Sequence, residues 1–128
     1  MLLFDTSALI DLERELADGR VGPARAYLGR NQGESMACST VTVGELATGA
    51  DEAGIRIMLQ RIRKIPLTEA IAYRAGRLDR TLLQAGRRLG ENDNWIAATA
   101  LHYSATLVYS DGDFDRVPGL KRAYLNSE

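Results

Sequence analysis

The sequence predicts an α/β fold with a mainly parallel central sheet flanked by helices, in a single domain over residues 1–128. Short apolar runs alternate with helical segments along the chain, an order typical of parallel sheets. The length suits one domain with its own hydrophobic core. Acidic residues directly follow two of the apolar runs, where open parallel sheets bind their ligands. We therefore expect an acidic site at the C-terminal edge of the strands.

Two helices are predicted to follow the first strand, Leu2–Phe4, which ends at Asp5. Either hydroxyl residue after Asp5 can cap the first helix. A proline suits the first turn of the second helix. These two helices are predicted over residues 8–14 and 23–30.

The second buried strand, residues 35–38, is also followed by two predicted helices. Thr42 and Glu45 have the spacing of a capping box, which predicts a short helix that begins at Thr42 and stops near Gly49. A longer amphipathic helix is predicted over 52–64, where basic residues alternate with apolar residues at helical spacing, namely Ile55, Leu59 and Ile62.

The second half of the chain predicts two further helices and the strongest strand. A glycine closes the longer helix, and the strand is rich in β-branched and aromatic residues. In chain order the elements are a brief extended segment at 65–67, helices over 68–85 and 93–103, the strand 105–109 and a last strand within 120–125.

Charge is unevenly distributed, although 16 Lys+Arg and 17 Asp+Glu leave a net charge of only -1. Residues 1–53 carry a net charge of -5, residues 54–90 carry +7 and residues 91–128 carry -3. The basic middle segment is either a solvated helix face or a surface that binds a polyanion.

Few catalytic chemistries are open to this composition. The single Cys38 excludes an internal disulfide and a cysteine zinc cluster, and it fits a reducing cytoplasm. His102, the only histidine, lies in an apolar stretch, where we interpret it as a packed or surface helix residue. No apolar run is long enough to span a bilayer, and the first residues lack the basic region of a secretory signal. An enzyme with this sequence must therefore use carboxylates.

Four carboxylates distant in sequence are predicted to meet at one edge of the sheet: Asp5, Glu45, Asp93 and Asp111. Two like charges about 4 Å apart repel by roughly 4 kcal/mol at an effective dielectric near 20, so such a cluster must hold protons or bind a cation. Oxygen ligands without histidine or cysteine favour Mg²⁺ or Mn²⁺. Each acid also has a structural interpretation, because these positions suit helix capping, a capping box, a helix dipole and a turn.

Four sequence blocks, in order, resemble the PIN-domain ribonucleases, and in particular the VapC-type toxins of bacterial toxin–antitoxin modules. The first block is Leu3-Phe4-Asp5-Thr6-Ser7-Ala8-Leu9-Ile10, and the second runs from Thr40 to Gly49 around Glu45. The third begins at Asn92-Asp93-Asn94-Trp95-Ile96-Ala97-Ala98, and the fourth includes Val108-Tyr109-Ser110-Asp111-Gly112-Asp113-Phe114. Together the blocks cover the chain almost from end to end.

The resemblance implies a PIN-like fold and a Mg²⁺- or Mn²⁺-dependent endoribonuclease that hydrolyses RNA phosphodiester bonds. It places Asp5, Asp93 and Asp111 as metal ligands, with Glu45 as a fourth catalytic acid. Thr6 or Ser7 would orient Asp5, and Asp113 is an additional candidate acid. Tyr109 departs from the family, which more often has threonine there, and Ser110 is a candidate source of the missing hydroxyl.

Further partners follow from the same resemblance. It implies a cognate antitoxin and a homodimer, or a larger complex of toxin and antitoxin. Because an acidic pocket repels RNA, basic groups must hold the flanking phosphates. Arg87 and Arg88 are the first candidates, followed by the basic helix 56–64. Apolar residues near the second acidic motif are predicted to form either an antitoxin groove or core: Ile55, Met58 and Leu59.

Two other functions remain open from the residues alone. One is a non-catalytic module that binds nucleic acid or protein and whose acids only cap helices. The other is a DNase or phosphatase with a carboxylate-bound metal. Phosphatases with a nucleophilic aspartate usually have a second aspartate two residues later, and Ser7 at that position argues against this mechanism.

Overall fold

The computed structural model describes residues 1–126. Within this range the central sheet has five strands: β1 (Leu2–Phe4), β2 (Met36–Ser39), β3 (Arg63–Ile65), β4 (Thr106–Tyr109) and β5 (Lys121–Tyr124). They lie in the order β3-β2-β1-β4-β5, and all four strand pairs are parallel. The predicted α/β class and mainly parallel sheet are confirmed.

Six helices flank the sheet, with one hydrophobic core on each face. The helices are α1 (Thr6–Asp18), α2 (Pro23–Arg30), α3 (Thr40–Ala47), α4 (Glu52–Met58), α5 (Glu69–Gln84) and α6 (Glu91–Tyr103). One core joins the sheet to α5 and α6, and the other joins it to the first four helices. Among residues 1–126, no helix is long and apolar enough to cross a membrane.

The predicted helix over 52–64 is wrong in its second half. α4 ends at Met58, and Arg63–Ile65 forms β3, which pairs with β2. Arg61, Arg63 and Lys64 therefore do not extend a basic helix face. Pairing with β2 overrides the helical spacing in this segment. The strand was not visible in the sequence because three residues are too few to show the two-residue period of a strand.

The apolar residues near α4 divide between core and surface. Ile55 and Leu59 are buried, and Met58 packs against the same core. The alternative that these residues form core is therefore confirmed, and the groove interpretation is wrong for Ile55 and Leu59. The exposed large apolar residue of α4 is Ile57 instead.

Several helix starts differ from the sequence prediction. Asp5 itself caps α1, because its side chain accepts a hydrogen bond from the Ala8 backbone N–H. α3 begins two residues before Thr42 and is capped by Ser39, so the proposed capping box is wrong. α6 begins at Glu91 rather than Asp93.

Glu15 on α1 is a buried carboxylate that the sequence pattern did not single out. It accepts hydrogen bonds from the backbone N–H groups of Gly22, Ala24 and Arg25, at 2.8–3.0 Å. α2 has no side-chain cap of its own, so Glu15 satisfies its N-terminal donors. Burial raises the pKa of Glu15, but these donors more than offset that effect and the pKa is lowered.

Candidate active site

Asp5 lies at the junction between β1 and α1, with only 4% of its surface exposed. Its Oδ1 accepts hydrogen bonds from the Ser7 hydroxyl at 2.7 Å and from the Ala8 N–H at 2.9 Å. Its own backbone N–H donates to the Val108 carbonyl at the end of β4, at 3.0 Å. The carboxylate is therefore held at the C-terminal edge of the two central strands.

Ser7 connects Asp5 to the loop after β4. Its Oγ donates to Asp5 and accepts from the backbone N–H groups of Ser110 and Asp111, at 3.0 and 3.1 Å. One hydroxyl therefore joins residues more than 100 positions apart. Ser110 contributes a backbone N–H to this link, and the hydroxyl comes from Ser7.

Tyr109 belongs to the core beside the site. Its ring packs edge-on against Phe114, with centroids 5.1 Å apart. The residue is almost fully buried, so it occupies a packing position at the end of β4. Tyr109 therefore supplies packing rather than a hydroxyl at this position.

Glu45 faces Thr6 across the helices rather than its own helix start. The Thr6 hydroxyl lies 2.6 Å from Oε1 of Glu45 and 3.2 Å from Oγ1 of Thr42. A carboxylate can only accept, so Thr6 donates to Glu45. This contact brings the acid of α3 to the start of α1, beside Asp5.

Asp93, in the first turn of α6, lies against the turn after β4. Gly112 has a φ of 116°, and a Cβ built on it would lie 3.6 Å from Oδ2 of Asp93 and 3.0 Å from the Phe114 ring. Glycine allows this backbone conformation and this close approach. Asp111 and Asp113, on either side of Gly112, are exposed.

The acids share one electrostatic environment. Burial raises the pKa of Asp5 to about 7, and the charges of Asp93 and Glu45 add to this increase. Burial also raises the pKa of Asp93, with contributions from Glu45, Asp111 and Asp113 in that order. The structure therefore brings together all five acids that the sequence singled out, from four separate segments of the chain.

The chemistry of these donors fits a hard divalent cation, because all of them are carboxylates and their repulsion would be relieved by positive charge. Between residues 1 and 126, however, no three acidic, histidine or cysteine side chains are grouped tightly enough to hold an ion in their present positions. The cluster is therefore open. Asp5, Asp93 and Asp111 as ligands stay a prediction.

The family model for the PIN domain matches residues 2–120. The chain belongs to the PIN domain family. It is 31% identical to ribonuclease VapC4 of Mycobacterium tuberculosis, over 93% of this chain and 92% of that protein. It is 29% identical to ribonuclease VapC1 of Haemophilus influenzae, over 69% of this chain and 72% of that protein.

Solved structures show the same PIN fold. The VapBC-1 structure from nontypeable Haemophilus influenzae matches with a TM-score of 0.79 and 25% identity, over 98% of both chains. A toxin–antitoxin complex from Klebsiella pneumoniae matches with a TM-score of 0.75 and 26% identity, over the full length of both chains. The predicted PIN-like fold and the resemblance to VapC are confirmed.

The basic residues nearest the acids of this PIN domain are partly engaged. Arg88 forms a bidentate pair with Asp79 at 2.9 and 3.0 Å, while Arg87 is exposed. Arg116, which the sequence analysis missed, donates to the Arg88 carbonyl at 3.2 Å and lies 3.7 Å from the Asp113 carboxylate. Arg116 therefore connects Arg88, one of the two predicted phosphate-binding residues, to the acidic turn. The spacing of three residues between Asp113 and Arg116 is the feature of the sequence that could have predicted this contact.

His102 is exposed near the end of α6. This position confirms the interpretation of a surface helix histidine.

Proposed function

We propose that this PIN domain is an endoribonuclease that hydrolyses RNA phosphodiester bonds with Mg²⁺ or Mn²⁺. The convergence of Asp5, Glu45, Asp93 and Asp111 at the strand ends is the observation that carries the proposal. Membership of the PIN family and relatives named as VapC ribonucleases support a nuclease. The raised pKa values of Asp5 and Asp93 support a cation at the cluster, because a cation would stabilise both carboxylates in their charged form.

Each acid has a defined task in this proposal. Asp5, Asp93 and Asp111 would hold the cation, which when bound would activate a water and shield the phosphate charge. Ser7 and the Ala8 N–H fix the orientation of the Asp5 carboxylate. Thr6 holds Oε1 of Glu45, so that the carboxylate can orient a water molecule beside the cluster. Asp113 lies 3.7 Å from Arg116 and is an additional candidate acid beside the cluster.

Asp93→Asn tests the catalytic part of the proposal. We expect Mg²⁺ or Mn²⁺ to support cleavage of single-stranded RNA, EDTA to stop it, and Asp93→Asn to lower the rate at least a hundredfold. Asp18→Asn, on an exposed residue at the end of α1, is the matched control and should cleave normally. Equal cleavage by the wild type and Asp93→Asn would refute the proposal.

The other two functions predict different results in the same assay. A binding module would cleave nothing and would show no melting-temperature shift with Mn²⁺. A DNase or phosphatase would prefer DNA or a small phosphoester to RNA when the substrates are compared side by side. The Ser7 contact to Asp5 disfavours a phosphatase, since position 7 holds an orienting hydroxyl instead of a second acid.

We also propose that the chain is the toxin of a toxin–antitoxin pair. The support is that similar structures are VapBC complexes and a toxin–antitoxin complex. The expected result is growth arrest on expression of the wild type, no arrest with Asp93→Asn, and relief by a co-expressed cognate antitoxin. Light scattering of the purified protein would test the homodimer that we expect.

A further inference from the structure

Arg116 is a basic side chain that is held next to the acidic turn. Its Nη1 donates a hydrogen bond to the Arg88 carbonyl at 3.2 Å, and its Nη2 lies 3.7 Å from the Asp113 carboxylate. These two partners come from different segments, since Arg88 precedes α6 and Asp113 follows β4. Only 35% of the Arg116 side chain is exposed. The guanidinium is therefore held between the segment before α6 and the acidic turn.

The backbone that carries Arg116 is anchored in the core. The residue ends a single 3-10 turn, in which its N–H donates to the Asp113 carbonyl at 3.0 Å. Phe114 and Val117, before and after Arg116, are buried, and the Phe114 ring packs against Tyr109 at the end of β4. These buried neighbours limit how far the guanidinium can move away from Asp113.

Most donors of the Arg116 guanidinium are free. A guanidinium has five N–H groups in a planar fork. Among residues 1–126, its one hydrogen bond is the contact with the Arg88 carbonyl, because the 3.7 Å separation from Asp113 is too long for another. The Asp113 carboxylate therefore attracts Arg116 but leaves its N–H groups available. A phosphate can accept two of them at once, which is a strong and specific contact for arginine.

The other two arginines near the acids are less suited to fix a phosphate. Arg88 uses both Nε and Nη2 to bind Asp79, at 2.9 and 3.0 Å. The Arg87 side chain is exposed, and within the described part of the chain no carboxylate lies within 4 Å to hold it. Of these three arginines, Arg116 is therefore the one that is both held in place and free to donate.

The place of Arg116 relative to the cluster indicates which phosphate it can reach. The charge of Asp113 contributes to the raised pKa of Asp93, so these two carboxylates are close enough to interact. Over residues 1–126, Arg116 lies within 4 Å of Asp113 but of no other acid of the cluster. A scissile phosphate near Asp5 and Asp93 therefore leaves Arg116 at the margin, beside the next phosphate along the strand.

We propose that Arg116 binds the RNA phosphate next to the scissile phosphate. The inference rests on the proposed ribonuclease function and assigns a substrate-binding residue to the same site. A fixed positive charge suits this position, because an acidic site repels the RNA backbone and basic groups offset that repulsion. The alternative is that Arg116 only joins the segment before α6 to the acidic turn. The two roles predict different effects of substitutions at positions 113 and 116.

Fluorescence anisotropy with a labelled 12-nucleotide oligouridylate, in EDTA and at low salt, tests the contact without cleavage. Arg116→Gln should bind at least fivefold more weakly than the wild type. Its slope of log affinity against log salt should be smaller by about 0.7, the value for one phosphate contact on a single strand. Arg116→Lys keeps the charge and should keep the slope, with an affinity at most threefold weaker. Arg14→Gln, on an exposed residue of α1, is the matched control and should weaken binding no more than twofold.

Asp113→Asn separates a phosphate contact from a purely structural one. This variant removes the ion pair but keeps Arg116, so it should bind the RNA at least as tightly as the wild type. If Arg116 only joins the two segments, Asp113→Asn and Arg116→Gln should lose affinity together. Equal losses in these two variants, equal losses in Arg116→Gln and Arg14→Gln, or an unchanged affinity and salt slope in Arg116→Gln would overturn the inference.

A neutral linkage in the RNA locates the contact. The substrate is an oligonucleotide with one mapped cleavage site, and a methylphosphonate replaces the phosphate on either side of that site in turn. On one of the two sides, the replacement should raise KM at least fivefold for the wild type but no more than twofold for Arg116→Gln, because the variant does not contact that phosphate. Effects of equal size in both proteins on both sides would contradict the proposed contact.

The outcome for Arg116 can be distinguished from the outcome for the ribonuclease. Loss of RNA binding in Arg116→Gln, in a protein that cleaves no RNA with either metal, refutes the proposed function alone. Cleavage by Arg116→Gln with the KM and the RNA affinity of the wild type refutes the role of Arg116 alone.

Discussion

Asp5→Asn should make the metal-free protein more stable at pH 8, although it removes a central acid of the site. The pKa of Asp5 is raised from 3.8 to about 7 by burial and by neighbouring acids. At pH values between 3.8 and about 7, the Asp5 carboxyl therefore keeps its proton in the folded state but has lost it in the unfolded chain. The stability that Asp5 contributes is complete below the unfolded pKa and is lost as the pH rises through the folded pKa.

The size of this effect follows from the same pKa values. An increase from 3.8 to about 7 corresponds to about 4 kcal/mol at pH values above both, and to roughly 1.5 kcal/mol at pH 5. The amide introduced by Asp5→Asn carries no charge, and its oxygen can still accept from Ser7 and Ala8. The gain in free energy of unfolding from Asp5→Asn should therefore be about 2–3 kcal/mol larger at pH 8 than at pH 5.

Urea unfolding in EDTA at pH 5 and pH 8 measures this difference. Asp18→Asn is the control, since Asp18 is exposed and its substitution should leave the pH dependence of the wild type unchanged. Added Mn²⁺ should stabilise the wild type at pH 8 but not Asp5→Asn, because a ligand stabilises only the state that binds it. Parallel pH dependences of the wild type and Asp5→Asn would refute a raised pKa at Asp5.

Three further substitutions test how the site is built. Ser7→Ala should lower RNA cleavage at least tenfold with a melting-temperature decrease of a few degrees, since it releases Asp5 and two backbone N–H groups; unchanged cleavage would contradict this. Gly112→Ala should cost about 1–3 kcal/mol in urea unfolding, because φ is 116° and the added Cβ would meet the Phe114 ring. Glu15→Gln should cost at least about 2 kcal/mol at pH 7, because three N–H donors lose a carboxylate. The lowered pKa of Glu15 means that this cost is present above its unfolded pKa and disappears as the pH falls through the folded pKa, so an equal cost at pH 3 and pH 7 would be the contrary result.

Local signals predicted most of the elements correctly. The long helix was expected over 68–85, and α5 is capped by Thr68 and ends at Gln84. The strand expected over 105–109 is β4, Thr106–Tyr109. These elements are determined by contacts between residues three or four positions apart, or by runs of residues suited to strands. Such signals can be recognised within a short stretch of the sequence, without knowledge of the rest of the fold.

Signals of the same local kind were wrong where a distant contact was stronger. Glu45 has the spacing of a capping box with Thr42, but its carboxylate is held by Thr6, 39 positions earlier. Arg88 is paired with Asp79 of α5, a contact that its place just before Asp93 did not reveal, and its contact with phosphate stays a prediction. In both cases the partner comes from another element, and spacing within one element carries no information about it.

The sequence by itself determined the α/β class, the order of the strands and helices along the chain, and the acids available for chemistry. Those features depend on residue type, periodicity and capping, which act over a few residues. Only the tertiary structure decided which acids raise each other's pKa values and how Ser7 joins β1 to β4. It also decided that Glu15 accepts hydrogen bonds from the N-terminal backbone of α2. Packing of the sheet and its two helical layers sets these contacts, because burial and distance across the fold control both pKa values and hydrogen-bond partners.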